Sequence, residues 1–126
     1  MSEFGPKPRK KIAVVACMDT RLHPYELLGL EVGDAHIVRN AGGLITDDVI
    51  RSVSVSQRKL GTQEVVVIMH EDCGMQGLDE PGGFDDLEAE LRRGVERLRS
   101  AEELPARDRI RGLIFDPASG SVREVA

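Results

Sequence analysis

Short apolar runs, each ending at a polar residue, alternate along this chain with segments whose apolar residues recur every three or four positions. Ile12-Ala13-Val14-Val15-Ala16 is apolar throughout and stops at Cys17, the pattern of a strand buried on both faces of a parallel sheet. Ala35 to Val38 reads as a second, brief strand running into the glycine-bearing loop Arg39-Asn40-Ala41-Gly42-Gly43. Val65 to Met69 is a third, rich in β-branched residues and ending at His70. Ile110 to Phe115 is a fourth; the turn chemistry of Asp116-Pro117-Ala118-Ser119-Gly120 then lets Ser121 to Val125 return beside it as a hairpin strand.

Helical spacing fills the intervals. Pro24 opens a short helix through Tyr25, Leu27 and Leu28, closed at Gly29 or Gly33. Thr46 is an N-cap followed by Asp47 and Asp48, with Val49, Ile50, Val53 and Leu60 on one face and Gly61 as the stop. From Phe84, the residues Leu87, Leu91, Val95 and Leu98 mark the last long helix, with acids early and arginines late. The predicted fold class is therefore α/β: a mostly parallel central sheet of about four strands flanked by helices, with a C-terminal antiparallel hairpin strand. Residues 1–10 are expected to form a flexible N-terminal arm and residues 11–126 a single domain. Sites in such sheets gather at the carboxyl ends of strands, where both Cys17 and His70 fall.

Composition narrows the function classes. At 126 residues, 40% apolar and 31% charged, the chain has the make-up of a soluble globular domain, and no apolar run approaches the ~18 residues of a membrane span. The net charge of -5 and 3% aromatic content argue against a nucleic-acid surface; the one basic cluster, Lys7 to Lys11, is short. Met1 to Lys11 carries charge but no apolar stretch of a secretory signal follows it, so a cytoplasmic location is expected. In that compartment thiols stay reduced, which leaves metal binding or burial as the roles of the two cysteines.

Zinc takes thiolate and imidazole ligands in a tetrahedron, and a catalytic zinc keeps three protein ligands and one position for water. Cys17, His70 and Cys73 supply that donor set, His-x-x-Cys from one tight loop and Cys17 from a strand end. Taken alone, two cysteines in a chain this size also suit core packing. Asp19 and Arg21 follow Cys17 where a core would want apolar residues. They suit either an exposed ion pair or a carboxylate kept ionised beside the metal as a proton acceptor. Gly42 and Gly43 suit either close backbone approach to the metal face or a turn with positive φ.

Three motifs in order, Cys17-Met18-Asp19-Thr20-Arg21, Arg39-Asn40-Ala41-Gly42-Gly43 and His70-x-x-Cys73-Gly74-Met75, together resemble the β-class carbonic anhydrase signature, most closely its compact bacterial and archaeal branch. The resemblance implies Zn²⁺ as cofactor on Cys17, His70 and Cys73, a catalytic dyad at Asp19 and Arg21, and reversible hydration of CO₂ to bicarbonate. It implies a homodimer or a dimer of dimers, with neither nucleic acid nor membrane as partner. It also implies a closed form in which Asp19 is a fourth zinc ligand, released by pairing with Arg21. Asn40, Gly42 and Gly43 are the expected substrate-binding residues. Because two thiolates offset the charge of the ion, activity is expected to rise toward alkaline pH.

Departures from the family pattern sit close to the metal loop. Glu71 replaces a common threonine, and Asp72 adds a second acid. The segment from Gln76 to Gly83 is short where relatives carry an additional helical stretch, and its Gly, Pro and acid content reads as a flexible bridge. Two other functions fit the same residues: a shortened non-catalytic zinc-binding relative, and a hydrolase of another small linear molecule such as carbon disulfide.

Overall fold

The computed structural model describes residues 5–79 and 83–126; residues 1–4 of the expected arm and 80–82 of the expected bridge lie outside the described residues. Its elements are β1 (Ile12–Cys17), α1 (Pro24–Leu28), β2 (Ala35–Asn40), a single 3-10 turn (Ala41–Gly43), α2 (Asp47–Arg58), β3 (Glu64–His70), α3 (Leu87–Arg99), β4 (Arg109–Phe115) and β5 (Val122–Glu124). The five strands form one sheet in the order β2-β1-β3-β4-β5. The first four run parallel, and β5 returns antiparallel along β4 with Ile114 opposite Arg123. This is the predicted α/β architecture, hairpin strand included.

The unbroken apolar runs follow from burial on both sheet faces, because successive strand residues point to opposite sides. Val15, Val65, Val67, Met69, Ile110 and Ile114 pack on one face beneath α2 and α3. On the opposite face Val14, Ala16, Val66, Ile68 and Leu113 meet Leu22 and, from α1 and its flanks, Leu27, Leu28 and Leu30.

Helix boundaries follow local capping. Thr46 Oγ1 accepts from the Val49 N–H at 3.2 Å, the expected start of α2. The last helix begins later than its apolar spacing predicts. Asp86 caps it by accepting from the Ala89 N–H at 3.1 Å, and Phe84 lies before it, buried in the core. Phe84 instead closes a loop: its N–H donates to Met75 O (3.2 Å) and its carbonyl accepts from Gly77 N–H (2.6 Å). A cap two residues downstream of an apolar residue outranked the periodicity that included it.

Ahead of β1, the backbone N–H groups of Arg9 and Lys10 donate to the carbonyls of Gly33 (2.8 Å) and Asp34 (3.0 Å). Asp34 is only 5% exposed and closes the turn into β2, accepting from the Glu31 N–H at 2.9 Å and from Arg9 Nε at 3.2 Å. The Glu31 bond foremost, opposed by burial and aided by the Arg9 and Lys10 charges, holds the Asp34 carboxyl below its ordinary value. A carboxyl depressed in the folded state stabilises fully above its unfolded value of about 3.9, and that contribution is lost as pH falls through the folded value. Asp34→Asn is therefore expected to melt below wild type at neutral pH, with the gap closing under about pH 4; thermal melts across pH 2 to 7 measure it.

Candidate metal centre

β1 and β3 are adjacent and parallel, with Ala16 opposite Ile68, so their carboxyl ends place Cys17 and His70 side by side. The turn after β3 then brings back Cys73. One donor atom from each of Cys17, His70 and Cys73 lies within 4.8 Å of the others, and the three residues are 4%, 1% and 7% exposed. Tetrahedral zinc with Zn–S near 2.3 Å and Zn–N near 2.0 Å spaces its donors about 3.5–3.8 Å apart, so the cluster fits that ion.

Protonation chemistry supports the fit. His70 Nδ1 donates to the Glu71 carbonyl at 2.8 Å, which turns Nε2 toward the cluster, 3.2 Å from Cys17 Sγ. Burial pushes the Cys17 thiol up, but the His70 hydrogen bond and the backbone N–H groups of Asp19 and Gly42 outweigh it, leaving the thiol lowered to about 7. His70 is raised in turn by that Cys17 bond, against burial. The hydrogen between Cys17 Sγ and His70 Nε2 lies where a metal cation bonded to both atoms would stand. Cys73 is raised, chiefly by burial and then by its Cys17 neighbour.

Asp19 and Arg21 stand beside the cluster. Arg21 Nε and Nη2 donate to Asp19 Oδ1 (2.9 Å) and Oδ2 (2.8 Å), and the Arg21 N–H adds a third bond to Oδ1 at 2.8 Å. These bonds, side chain first, hold the Asp19 carboxyl well below the usual carboxylate range. Its Oδ2 is 3.7 Å from His70 Nε2. Arg21 also reaches the metal loop, donating to Asp72 Oδ2 and Asp72 O at 3.1 Å each.

The second motif acts through its backbone. Arg39 spans the loop after β1, donating to the carbonyls of Cys17 (2.7 Å from Nη2), Asp19 (2.9 Å) and Leu22 (2.9 Å). Asn40 spends its amide on its own loop, giving Nδ2 to Leu44 O (2.8 Å) and accepting the Leu44 N–H at Oδ1 (3.1 Å). The 3-10 turn thus held carries Gly42, whose N–H meets the Cys17 sulfur, and Gly43, where φ is 69°. A Cβ on Gly43 would stand 2.9 Å from Ile68 O and 3.0 Å from Cys17 N. The carbonyl clamp of Arg39 had no spacing signal in the sequence; only a basic residue entering a glycine loop hinted at it. His36 is bonded to Ser56 Oγ (2.7 Å) and Pro6 O (2.9 Å), and it sits near the amino end of β2, away from the strand ends that carry the cluster.

The family model described as carbonic anhydrase matches residues 12–112. The chain belongs to the β-class carbonic anhydrases. It is 38% identical to beta-carbonic anhydrase 1 of Mycobacterium tuberculosis over 136 residues, covering 94% of this chain and 83% of that protein. The crystal structure of carbonic anhydrase from Streptococcus mutans superposes with a TM-score of 0.89 at 42% identity, covering 95% of this chain and 84% of that one. Carbon disulfide hydrolase of Saccharolobus solfataricus is 52% identical over 66 residues, 52% of this chain and 32% of that protein. The β-class carbonic anhydrases are zinc lyases, and among the described residues Cys17, His70 and Cys73 form a cluster that suits the ion.

Gly43→Ala adds a methyl against two backbone atoms in a left-handed conformation, for an expected loss of roughly 2–4 kcal/mol of stability together with weakened zinc retention. Thermal unfolding and the zinc content of the dialysed variant measure both.

Proposed function

We propose that this protein interconverts CO₂ and bicarbonate, with Cys17, His70 and Cys73 holding zinc and Asp19 and Arg21 as the working pair. The observation that carries the proposal is the three-donor cluster with a carboxylate, fixed by a guanidinium, on its remaining side. When bound, zinc supplies a Lewis-acidic position that brings the pKa of water down toward neutrality.

The chain's own residues then have defined tasks. Asp19 stays ionised and directs Oδ2 at the reacting face, where so acidic a carboxylate orients a hydrogen by accepting its bond rather than storing the proton. Arg21 keeps Asp19 turned toward itself, the pairing that favours the open form over Asp19 as a fourth ligand. Gly42 and Gly43 form the wall against which a small linear substrate lies, and Asn40 serves that wall by holding the loop. His70 keeps its tautomer through the Glu71 carbonyl.

We place the protein in the cytoplasm as a homodimer. Reduced thiols as ligands suit that compartment. Met18, 63% exposed between Cys17 and Asp19, and the exposed Leu78 and Val122 favour cover by a second copy. Light scattering at twice the mass of the chain is the expected result.

Stopped-flow CO₂ hydration on zinc-loaded protein from about pH 7 to 9 tests the activity, with rates expected to rise with pH. Cys73→Ala is expected to lose zinc and rate together, and Asp19→Asn to keep zinc with a rate about 10²-fold lower. Background rates at one zinc per chain would establish a non-catalytic relative; release of hydrogen sulfide from carbon disulfide without CO₂ hydration would move the chain to the hydrolase branch.

A further inference from the structure

The geometry points to Arg123 as a positioning residue for the metal centre, acting on His70 through Glu71; this rests on the reading of Cys17, His70 and Cys73 as zinc ligands. Arg123 lies on β5 opposite Ile114, at the edge strand of the sheet and outside the three motifs. Its Nη2 reaches Glu71 Oε1 at 3.4 Å, and its Nη1 donates to Glu88 Oε1 at 2.5 Å in the first turn of α3. One guanidinium therefore links the metal loop, the last helix and the hairpin strand.

Glu71 is where that link meets the metal chemistry. Its carbonyl accepts the Nδ1–H of His70 at 2.8 Å, and its N–H donates to Phe115 O at 2.9 Å. The rotation of the 71 peptide thus sets the direction of the His70 ring and of Nε2. The next residue, Asp72, adopts φ 57°, a left-handed conformation that a non-glycine residue holds only when its surroundings impose it. Arg21 anchors Asp72 from one side by bonds to its carboxylate and carbonyl. Arg123 anchors Glu71 from the other side, so the strained turn is held at both of its acidic residues. The same cation balances the acid that Glu71 places next to the ligand.

Both Arg123 and Glu71 are partly exposed, their side chains 52% and 44% accessible, so the effect on metal affinity is modest. Competition with a chromophoric chelator, read on wild type, Arg123→Ala, Glu71→Gln, the double variant and Glu88→Gln, tests the proposal. The expected zinc Kd rises about threefold in Arg123→Ala and in Glu71→Gln and no further in the double variant. Glu88→Gln, which removes the charge from the helix contact and leaves Glu71 paired, is expected to lower the melting temperature with zinc affinity unchanged. An unchanged Kd in Arg123→Ala, additive losses in the double variant, or an equal loss in Glu88→Gln would each overturn the role of Arg123 and leave the metal site standing. Wild type that binds no zinc would overturn the ligand assignment, and this inference with it.

Discussion

Two parallel strands that end side by side, β1 at Cys17 and β3 at His70, impose most of the remaining design. A thiol and an imidazole in that position are almost wholly buried, and burial disfavours the charged thiolate that a metal needs. The surrounding chain answers with hydrogen-bond donors aimed at sulfur: the His70 ring and the backbone N–H groups of Asp19 and Gly42. Those amides are available only because the chain turns sharply after β1 and again after β2. Arg39, Asn40 and Gly43 exist in their places to hold those turns.

The arginines divide the work by what they bind. Arg39 meets carbonyls and fixes backbone, a task suited to a planar group with several donors. Arg21 meets carboxylates and governs where Asp19 points and what charge it carries. The acidic loop from Glu71 to Asp72 would repel both Asp19 and an anionic product if left uncompensated, and cations from two different elements stand against it. Net charge alone conceals this, because the balance is local.

Much of the fold was legible in the sequence because burial on both faces of a parallel strand leaves a continuous apolar run, which β1 and β3 have in full and β4 has from Gly112 onward, past Arg111. Two positions of the cluster were legible for a related reason: β1 and β3 each change from apolar to chemically reactive at the carboxyl end, at Cys17 and His70, whereas Cys73 was legible only through the His-x-x-Cys spacing. The start of α3 was not. Phe84 falls on the helical spacing of Leu87 and Leu91, yet the Asp86 side chain captures the first turn and leaves Phe84 to close a loop. Periodicity reports which residues are buried and is silent on the route by which they become so. The substrate-facing part assigned to Asn40 was legible only as a motif, whereas its amide is engaged within its own loop.

Contacts between distant elements were the least legible. Arg123 is 52 residues from Glu71 and 35 from Glu88, and nothing in the local composition of β5 marks it. Its position follows from the return of β5 along β4, which lays the side chain opposite Ile114 over the same sheet end that carries the metal loop. The C-terminal hairpin therefore does more than extend the sheet. By adding one antiparallel strand beyond β4, the fold obtains a cation at the carboxyl edge without placing it in the core, where an unpaired guanidinium would cost several kcal/mol. A short exposed strand is a tolerant place for such a group, since its side chain can be altered with little disturbance to the packing beneath.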